Sequence, residues 1–212
     1  MYIRDHERTP DAERLLTDLG AGTLVSIDPE SMRPHATFLP WAYASDRLTS
    51  HIGVINPQAT HNGQVLVILM GDDAYISEEW MVHGAPTWDY ETVHIYGELI
   101  IHTDPDWIIQ SFDDLLQRFS TKRIGDYEDS WLESQVRAVV GVEVAITEIQ
   151  AKSKLSQNRG NHEVRTISDS LEPTCPHLAE RIREVSLPHT AAREALVAQA
   201  RSRVSETRLT HE

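Results

Sequence analysis

Glu91-Thr92-Val93-His94-Ile95-Tyr96-Gly97 is the stretch from which the fold is read. Val93 and Ile95 alternate with Thr92, His94 and Tyr96, the period of a strand with one apolar and one polar face. The strand is expected to run over Glu91–His102, with Gly97 marking a bulge or a close approach of backbone. Working outward, Val65–Met70 is apolar at every position, which predicts a strand buried on both faces. Thr23–Ile27, Arg33–Pro40 and Arg47–Ile52 are short and separated by turn formers such as Asp28-Pro29. Ala74–Ser77 and Val140–Ile149 complete the set of expected strands.

Helices fall between them. Thr9-Pro10 reads as an N-cap followed by proline at the first helical position, with Leu15, Leu16 and Leu19 as the apolar stripe and Gly20 as the stop. Asp104-Pro105 opens a second helix whose Trp107, Ile108, Phe112, Leu115, Leu116 and Phe119 share a face. Trp131–Val139 is a third. Five to seven short strands with interleaved helices predict a small β-barrel with helices, an α+β fold. Past Lys152 the character changes. Residues 154–160, Lys-Leu-Ser-Gln-Asn-Arg-Gly, are polar and locally basic and read as a loop. Leu178–Val185 and Ala191–Val204 read as two helices punctuated by Pro173, Pro176 and Pro188. The expected division is a cofactor-binding domain over 1–160 and a helical extension over 161–212.

The chain has 212 residues, with 19 Lys and Arg against 33 Asp and Glu, a formal charge of −14. Duplex recognition draws on Lys and Arg meeting phosphates, so this balance argues against direct nucleic-acid binding. The single cysteine excludes an internal disulfide and any multi-cysteine metal site, and fits a reducing cytosol. The opening MYIRDHERTP is polar and charged, unlike a secretory signal. No apolar run approaches the ~20 residues that span a bilayer. A soluble, cytoplasmic protein is expected.

The eleven histidines show no HExxH spacing, and GxGxxG, GxxxxGK[ST] and GxSxG are absent. Zinc-hydrolase, dinucleotide-fold, P-loop and α/β-hydrolase readings therefore lose support. Cys175, between Thr174 and Pro176 in a polar segment, lacks the setting of a nucleophile. Four segments mix aromatic, polar and basic residues in ways a plain core does not require. They are His35–Pro40; His51 followed by Asn56-Pro57-Gln58; Ala85–Tyr90 running into Val93–Glu98; and Lys154–Arg159.

The order and spacing of these segments resemble the PaiB-like family of the FMN-binding split-barrel superfamily. The sharpest elements are PTWDYETVHIYG and KLSQNR, and the opening MYI fits as well. The resemblance covers roughly residues 1–160. It implies a six-stranded split β-barrel and a homodimer with two cofactor sites at or near the subunit interface. One branch of the family consists of FMN-binding negative transcriptional regulators. Another consists of haem-dependent piperazate synthases, which close an N–N bond in N5-hydroxyornithine. The short segment between Ser77 and Pro86, Ala-Pro-Thr-Trp in place of Val-Pro-Thr-Trp, and the lack of a Pro-Trp element over Arg118–Ser130 resemble the haem branch. Asn158-Arg159 resembles the regulators.

The haem resemblance implies haem b, with His51 as axial ligand at the position where piperazate synthases carry theirs. Neutral imidazole suits iron. A surface or capping role for His51 stands beside that reading, and His35, His83 and His94 are second choices. The substrate would be a small amino acid, whose carboxylate, like the haem propionates, needs cations. Lys154 and Arg159 are the first choices for these, with Gln157 adding polar contact. Thr87, Trp88 and Tyr90 would wall the pocket, and His94 would line it. For Trp88, core packing is the plain alternative. Asp89 would orient a histidine or bind an amine, or serve as a turn residue. Thr87, Asp89 and Lys154 are the catalytic candidates. Under the FMN alternative, Lys154 and Arg159 would hold the phosphate and Trp88 or Tyr90 would cover the ring.

Overall fold

The computed structural model describes residues 1–9, 11–82 and 84–209, with side chains as far as residue 200. Seven strands form one sheet in the order β2-β1-β5-β6-β7-β4-β3. They are β1 (Ala21–Ile27), β2 (Pro34–Pro40), β3 (Ala42–Ala44), β4 (Arg47–Gly53), β5 (Gly63–Ile76), β6 (Thr87–His102) and β7 (Val139–Lys154). The helices are α1 (Ala12–Asp18), α2 (Pro105–Phe119), α3 (Asp129–Ala138), α4 (Asn161–Leu171) and α5 (Pro176–Leu209). β1 runs antiparallel to β2 and β5, and β4 antiparallel to β3 and β7. Among the described residues no helix is long and apolar enough to cross a membrane.

Local chemistry explains most of the boundaries. The carboxylate of Asp28 accepts from the backbone N–H groups of Glu30 and Ser31, closing the turn between β1 and β2. Asp104 caps α2 by accepting from the N–H of Asp106, with Pro105 in the first turn where its missing donor costs nothing. Gly97 lies where a side chain would collide with the backbone of Ala145, so the expected close approach is present.

Several expectations need correction. β5 alternates, with Val65, Val67 and Leu69 buried and Met70 half exposed, so only one face is closed, as befits an antiparallel sheet. The same strand continues to Ile76, so Ala74–Ser77 is no separate element. α1 starts at Ala12 with Asp11 as its N-cap, and Pro10 lies outside the described residues. α4 was not expected, although Val164, Ile167, Ser168 and Leu171 sit at helical spacing and all are buried. The two expected C-terminal helices are one, running through Pro188. Proline removes a helical hydrogen bond, but tertiary contacts on either side hold the helix. Ser186 Oγ donates to the Leu155 carbonyl, and Thr190 Oγ1 to Asn161 Oδ1 at 2.7 Å.

The chain gathers into two compact units that interleave in sequence. The first comprises Met1, Pro10–Met70 and Thr92–Ala151; the second comprises Tyr2–Thr9, Gly71–Glu91 and Lys152–Glu212. The first is built on the sheet, with Leu24, Trp41, Leu48, Val67, Val93, Ile95, Val142 and Val144 in its core. The second buries Ile76, Leu155, Val164, Ile167, Leu178 and Ile182 together.

Candidate functional site

Two of the expected residue groups form sites, one in each unit. In the first unit, β4 carries Leu48, Thr49 and Ser50 into the interior and brings His51 beside α2. The His51 imidazole meets Phe112 edge-on, with ring centroids 4.6 Å apart. It lines a cavity of about 410 Å³ with Pro40, Phe112, Leu115, Leu116, Phe119, Ser120, Ile124, Tyr127, Trp131, Gln135 and Val139. That size lies within the usual range for small-molecule pockets. Tyr127 and Trp131 stack on each other, 4.7 Å between centroids. Among the described residues no charged side chain lines this cavity. The ammonium of Lys122 lies 5.3 Å above the Tyr127 ring.

His51 Nδ1 is buried and has no hydrogen-bond partner. Burial lowers the His51 pKa, so the ring is held neutral with its lone pair available. A buried polar nitrogen without a partner costs free energy. A neutral imidazole has the lone pair that iron ligation would require, and an apolar, aromatic-walled space would suit a porphyrin face. Among the described residues no group of three or more His, Cys, Asp or Glu side chains is assembled to hold a metal ion.

The second unit holds a polar cleft of about 230 Å³. Thr87, Asp89, Lys154, Gln157 and Arg159 all line it, so the structure brings these five expected residues together. Asp89 is fully buried. Its carboxylate accepts from Ser156 Oγ at 2.6 Å and from the Lys154 ammonium at 3.3 Å. Lys154 also donates to Thr87 Oγ1 at 2.7 Å and to the Trp88 carbonyl, so its three protons all have acceptors within the chain. Burial pushes the Asp89 pKa up, and the Ser156, Lys154 and Arg159 contacts pull against that rise.

Past Lys154 these residues form the expected loop, and half of it is packed away from solvent. Leu155, Ser156 and Gln157 are buried, and Gln157 bonds the backbone at Leu155 and Ser153. Ser156 adopts a φ of 60°, a left-handed conformation unusual for a side-chain-bearing residue, held by its bond to Asp89. At Gly84, with φ 151°, a Cβ would run into the Arg159 guanidinium, so glycine gives that group its seat.

The remaining expected residues are placed elsewhere. Trp88 is 53% exposed and meets Tyr75 edge-on, which rules out core packing. Tyr90 is half-buried under the Lys152 ammonium, which lies 5.3 Å over its ring. His94, in the first unit, is half-buried on β6, and burial lowers its pKa. His35 lies beside His61, ring centroids 5.1 Å apart. His83 falls outside the described residues. Sequence reading missed Arg4, His6 and Glu7, which line the cleft although they stand some eighty positions before its other walls. The neighbouring MYI of residues 1–3 was the only local signal near them. Phe112, Leu116 and Phe119, expected only as part of the apolar face of α2, line the cavity beside His51.

Comparison with known proteins agrees with this architecture. Residues 1–148 match the family described as "Putative FMN-binding domain". The chain is 30% identical over 202 residues to the protease synthase and sporulation protein PAI 2 of Bacillus subtilis, covering 85% of this chain and 95% of that one. Two solved structures share the fold. The FAD and heme binding protein of Mycobacterium smegmatis is 17% identical, with a TM-score of 0.56 over 70% of this chain and 73% of its own. A conserved hypothetical protein of Mycobacterium tuberculosis is also 17% identical, with a TM-score of 0.55 over 73% and 91%. The sheet order, the flanking helices and these matches establish an FMN-binding-type split β-barrel with a helical C-terminus, here with seven strands where the resemblance implied six. The chain belongs to the PaiB-like FMN-binding-domain family.

Proposed function

We propose that this protein binds haem b through His51 and catalyses N–N bond formation, cyclising an N-hydroxylated diamino acid such as N5-hydroxyornithine to piperazate. One observation carries the cofactor assignment: a neutral, half-buried imidazole whose Nδ1 has no hydrogen-bond partner lines an apolar cavity walled by aromatic rings. The reaction assignment rests on the resemblance of the Ala85–Tyr90 region and of the short Ser77–Pro86 segment to piperazate synthases. Bound haem iron supplies a Lewis-acidic centre that makes hydroxide a better leaving group. In the net reaction one amine nitrogen forms the N–N bond as the N–O bond of the other breaks. The departing hydroxide and the amine proton leave as water.

The chain's own part is to bind, orient and keep water out. His51 holds the cofactor, and Phe112, Tyr127 and Trp131 give it an aromatic wall. The cleft of the second unit is a separate anion site in this reading. Arg159 contacts a carboxylate or phosphate there, and Gln157 and the Lys154–Asp89–Thr87 cluster set the geometry. Trp88, Tyr90 and His94 line neither cavity and are given no cofactor contact in this reading. A cofactor-binding part over 1–160, a helical extension over 161–212, a homodimer and a cytoplasmic location belong to the same reading.

FMN is the second reading, favoured by the family's description. With it go a flavin-dependent oxidoreductase or a negative transcriptional regulator. Among the described residues no cation lines the His51 cavity, so a flavin phosphate and the haem propionates alike would have to find their counter-charge outside it, and the −14 charge counts against direct operator binding. The absorption spectrum of the whole chain purified with haem supplied separates the two. The haem reading expects a Soret band that His51→Ala removes together with bound iron. Flavin absorption with no Soret band overturns it. Incubation with N5-hydroxyornithine should give a product lighter by one water, and no such product would remove the substrate assignment.

A further inference from the structure

His51 faces Gly141 across the β4–β7 ladder. A side chain at Gly141 would collide with the Trp107 ring, and would come within 3.1 Å of His102 Cβ. The bare face of Gly141 is thus filled by the indole of Trp107. That indole stacks on His102 at 3.9 Å with the rings 7° from parallel. His102 is fixed in turn by Glu143, Nε2 to Oε2 at 2.9 Å. Trp107 stands in the first turn of α2, the helix that also carries Phe112 against His51.

The row matters because of what His51 lacks. Histidines that ligate metals ordinarily donate their second ring N–H to a carboxylate or carbonyl, and this fixes ring orientation. Here Nδ1 has no such partner. Packing is what orients the imidazole, chiefly the edge-on contact with Phe112. Whatever fixes α2 on the sheet therefore fixes the ring. An indole seated on a glycine and sandwiched by a hydrogen-bonded imidazole is a rigid anchor, since aromatic stacking adds to buried area.

We infer that Trp107, seated on Gly141 and stacked on His102, is a positioning residue for His51, acting through α2 and Phe112 in place of a hydrogen bond to the imidazole. The inference rests on the assignment of His51 to the cofactor only for its consequence in the loaded protein; the mechanical coupling stands without it.

The test uses the full chain with Trp107→Leu, Trp107→Phe and Gly141→Ala. In the metal-free protein, NMR resolves the ring C–H resonances of His51, which sense the Phe112 edge. Trp107→Leu and Gly141→Ala should move them toward the position of an imidazole without an aromatic neighbour, while Trp107→Phe, which keeps a stacked ring, should restore them. In the haem-loaded protein, transfer of haem to an excess of a haem-accepting protein should quicken about tenfold in Trp107→Leu. A lowered melting temperature with unmoved His51 resonances in a folded Trp107→Leu variant would show a purely structural role and overturn the inference. If Gly141→Ala fails to fold, the two Trp107 variants decide. Failure of the wild-type chain to take up haem would defeat the cofactor assignment, and the metal-free spectra would still decide the coupling.

Discussion

Phe112 presents its edge to the imidazole of His51, the two ring planes 85° apart. That contact couples a titratable ring to an apolar cavity wall, and it sets the ring's acid–base behaviour as well as its orientation. Burial is the cause of the lowered His51 pKa, because a charged imidazole loses hydration that no neighbour returns.

Folding stability should therefore fall on acidification. The unfolded chain takes up a proton at His51 near the ordinary value of 6.5, while the folded chain resists it to lower pH. Between those two values the unfolded state binds more protons, so this contribution to stability declines as pH falls below about 6.5 and is flat above it. Urea denaturation at a series of pH values measures it. His51→Phe, which leaves nothing to titrate, should remove that component of the slope.

Lys154 and Asp89 form a pair with one member fully buried. Removing only this cation leaves a buried carboxylate without its hydrogen-bonded counter-charge, with the weaker influence of Arg159 remaining. Lys154→Met should cost roughly 3 kcal/mol. The double variant Lys154→Met, Asp89→Asn should recover a large part of that loss, because an amide in the same place needs no counter-charge. Chemical denaturation of the single and double variants checks both statements.

Gln58 is the hub of a buried polar network in the first unit. Its amide nitrogen donates to Ser26 Oγ at 2.8 Å and to the Leu24 carbonyl at 3.3 Å, and its oxygen accepts from Thr37 Oγ1. Ser26 Oγ in turn lies 2.7 Å from His61 Nδ1. Gln58→Leu would leave several of these groups unsatisfied, at about 1–3 kcal/mol for each buried one. A loss of at least roughly 2 kcal/mol is expected, seen as a melting point lower by about 4–8 °C. A thermal scan that finds no change would show that water replaces the amide.

Arg181 spans Glu91 with two donors, Nε at 3.1 Å and NH2 at 3.2 Å, while Glu91 also accepts from Ser153 Oγ. Glu91 is buried, so truncating the arginine strands its charge. Arg181→Ala should destabilise the protein by roughly 3 kcal/mol, whereas Arg183→Ala, whose acidic partners are exposed, should cost less than about 1 kcal/mol. Equilibrium unfolding of the two variants measures the contrast.

Much of this was legible along the chain. The alternation of Val93 and Ile95 with His94 and Tyr96, the Asp104-Pro105 start of α2 and the close approach at Gly97 follow from local rules that act over a few residues. The stripe of α4 was equally local and was overlooked because its polar positions dominate the segment. The run through Pro188 was not legible, since proline propensity favours a break and only contacts with residues distant in sequence override it. The same limit applied to the sites. Lys154 and Thr87 stand in separate motifs, and nothing in either motif says that an ammonium spends its protons on the other.

The sequence by itself determined a sheet-based α+β fold, the family, and the residue types from which a cofactor site is made, because strand period, caps and short motifs are properties of neighbouring residues. The tertiary structure alone decided that His51 loses its hydrogen-bond partner, that Asp89 is buried beside Lys154, and that Trp107 fills the face of Gly141. Those outcomes depend on which distant segments exclude water from which atoms, and solvent exclusion is a property of the packed chain.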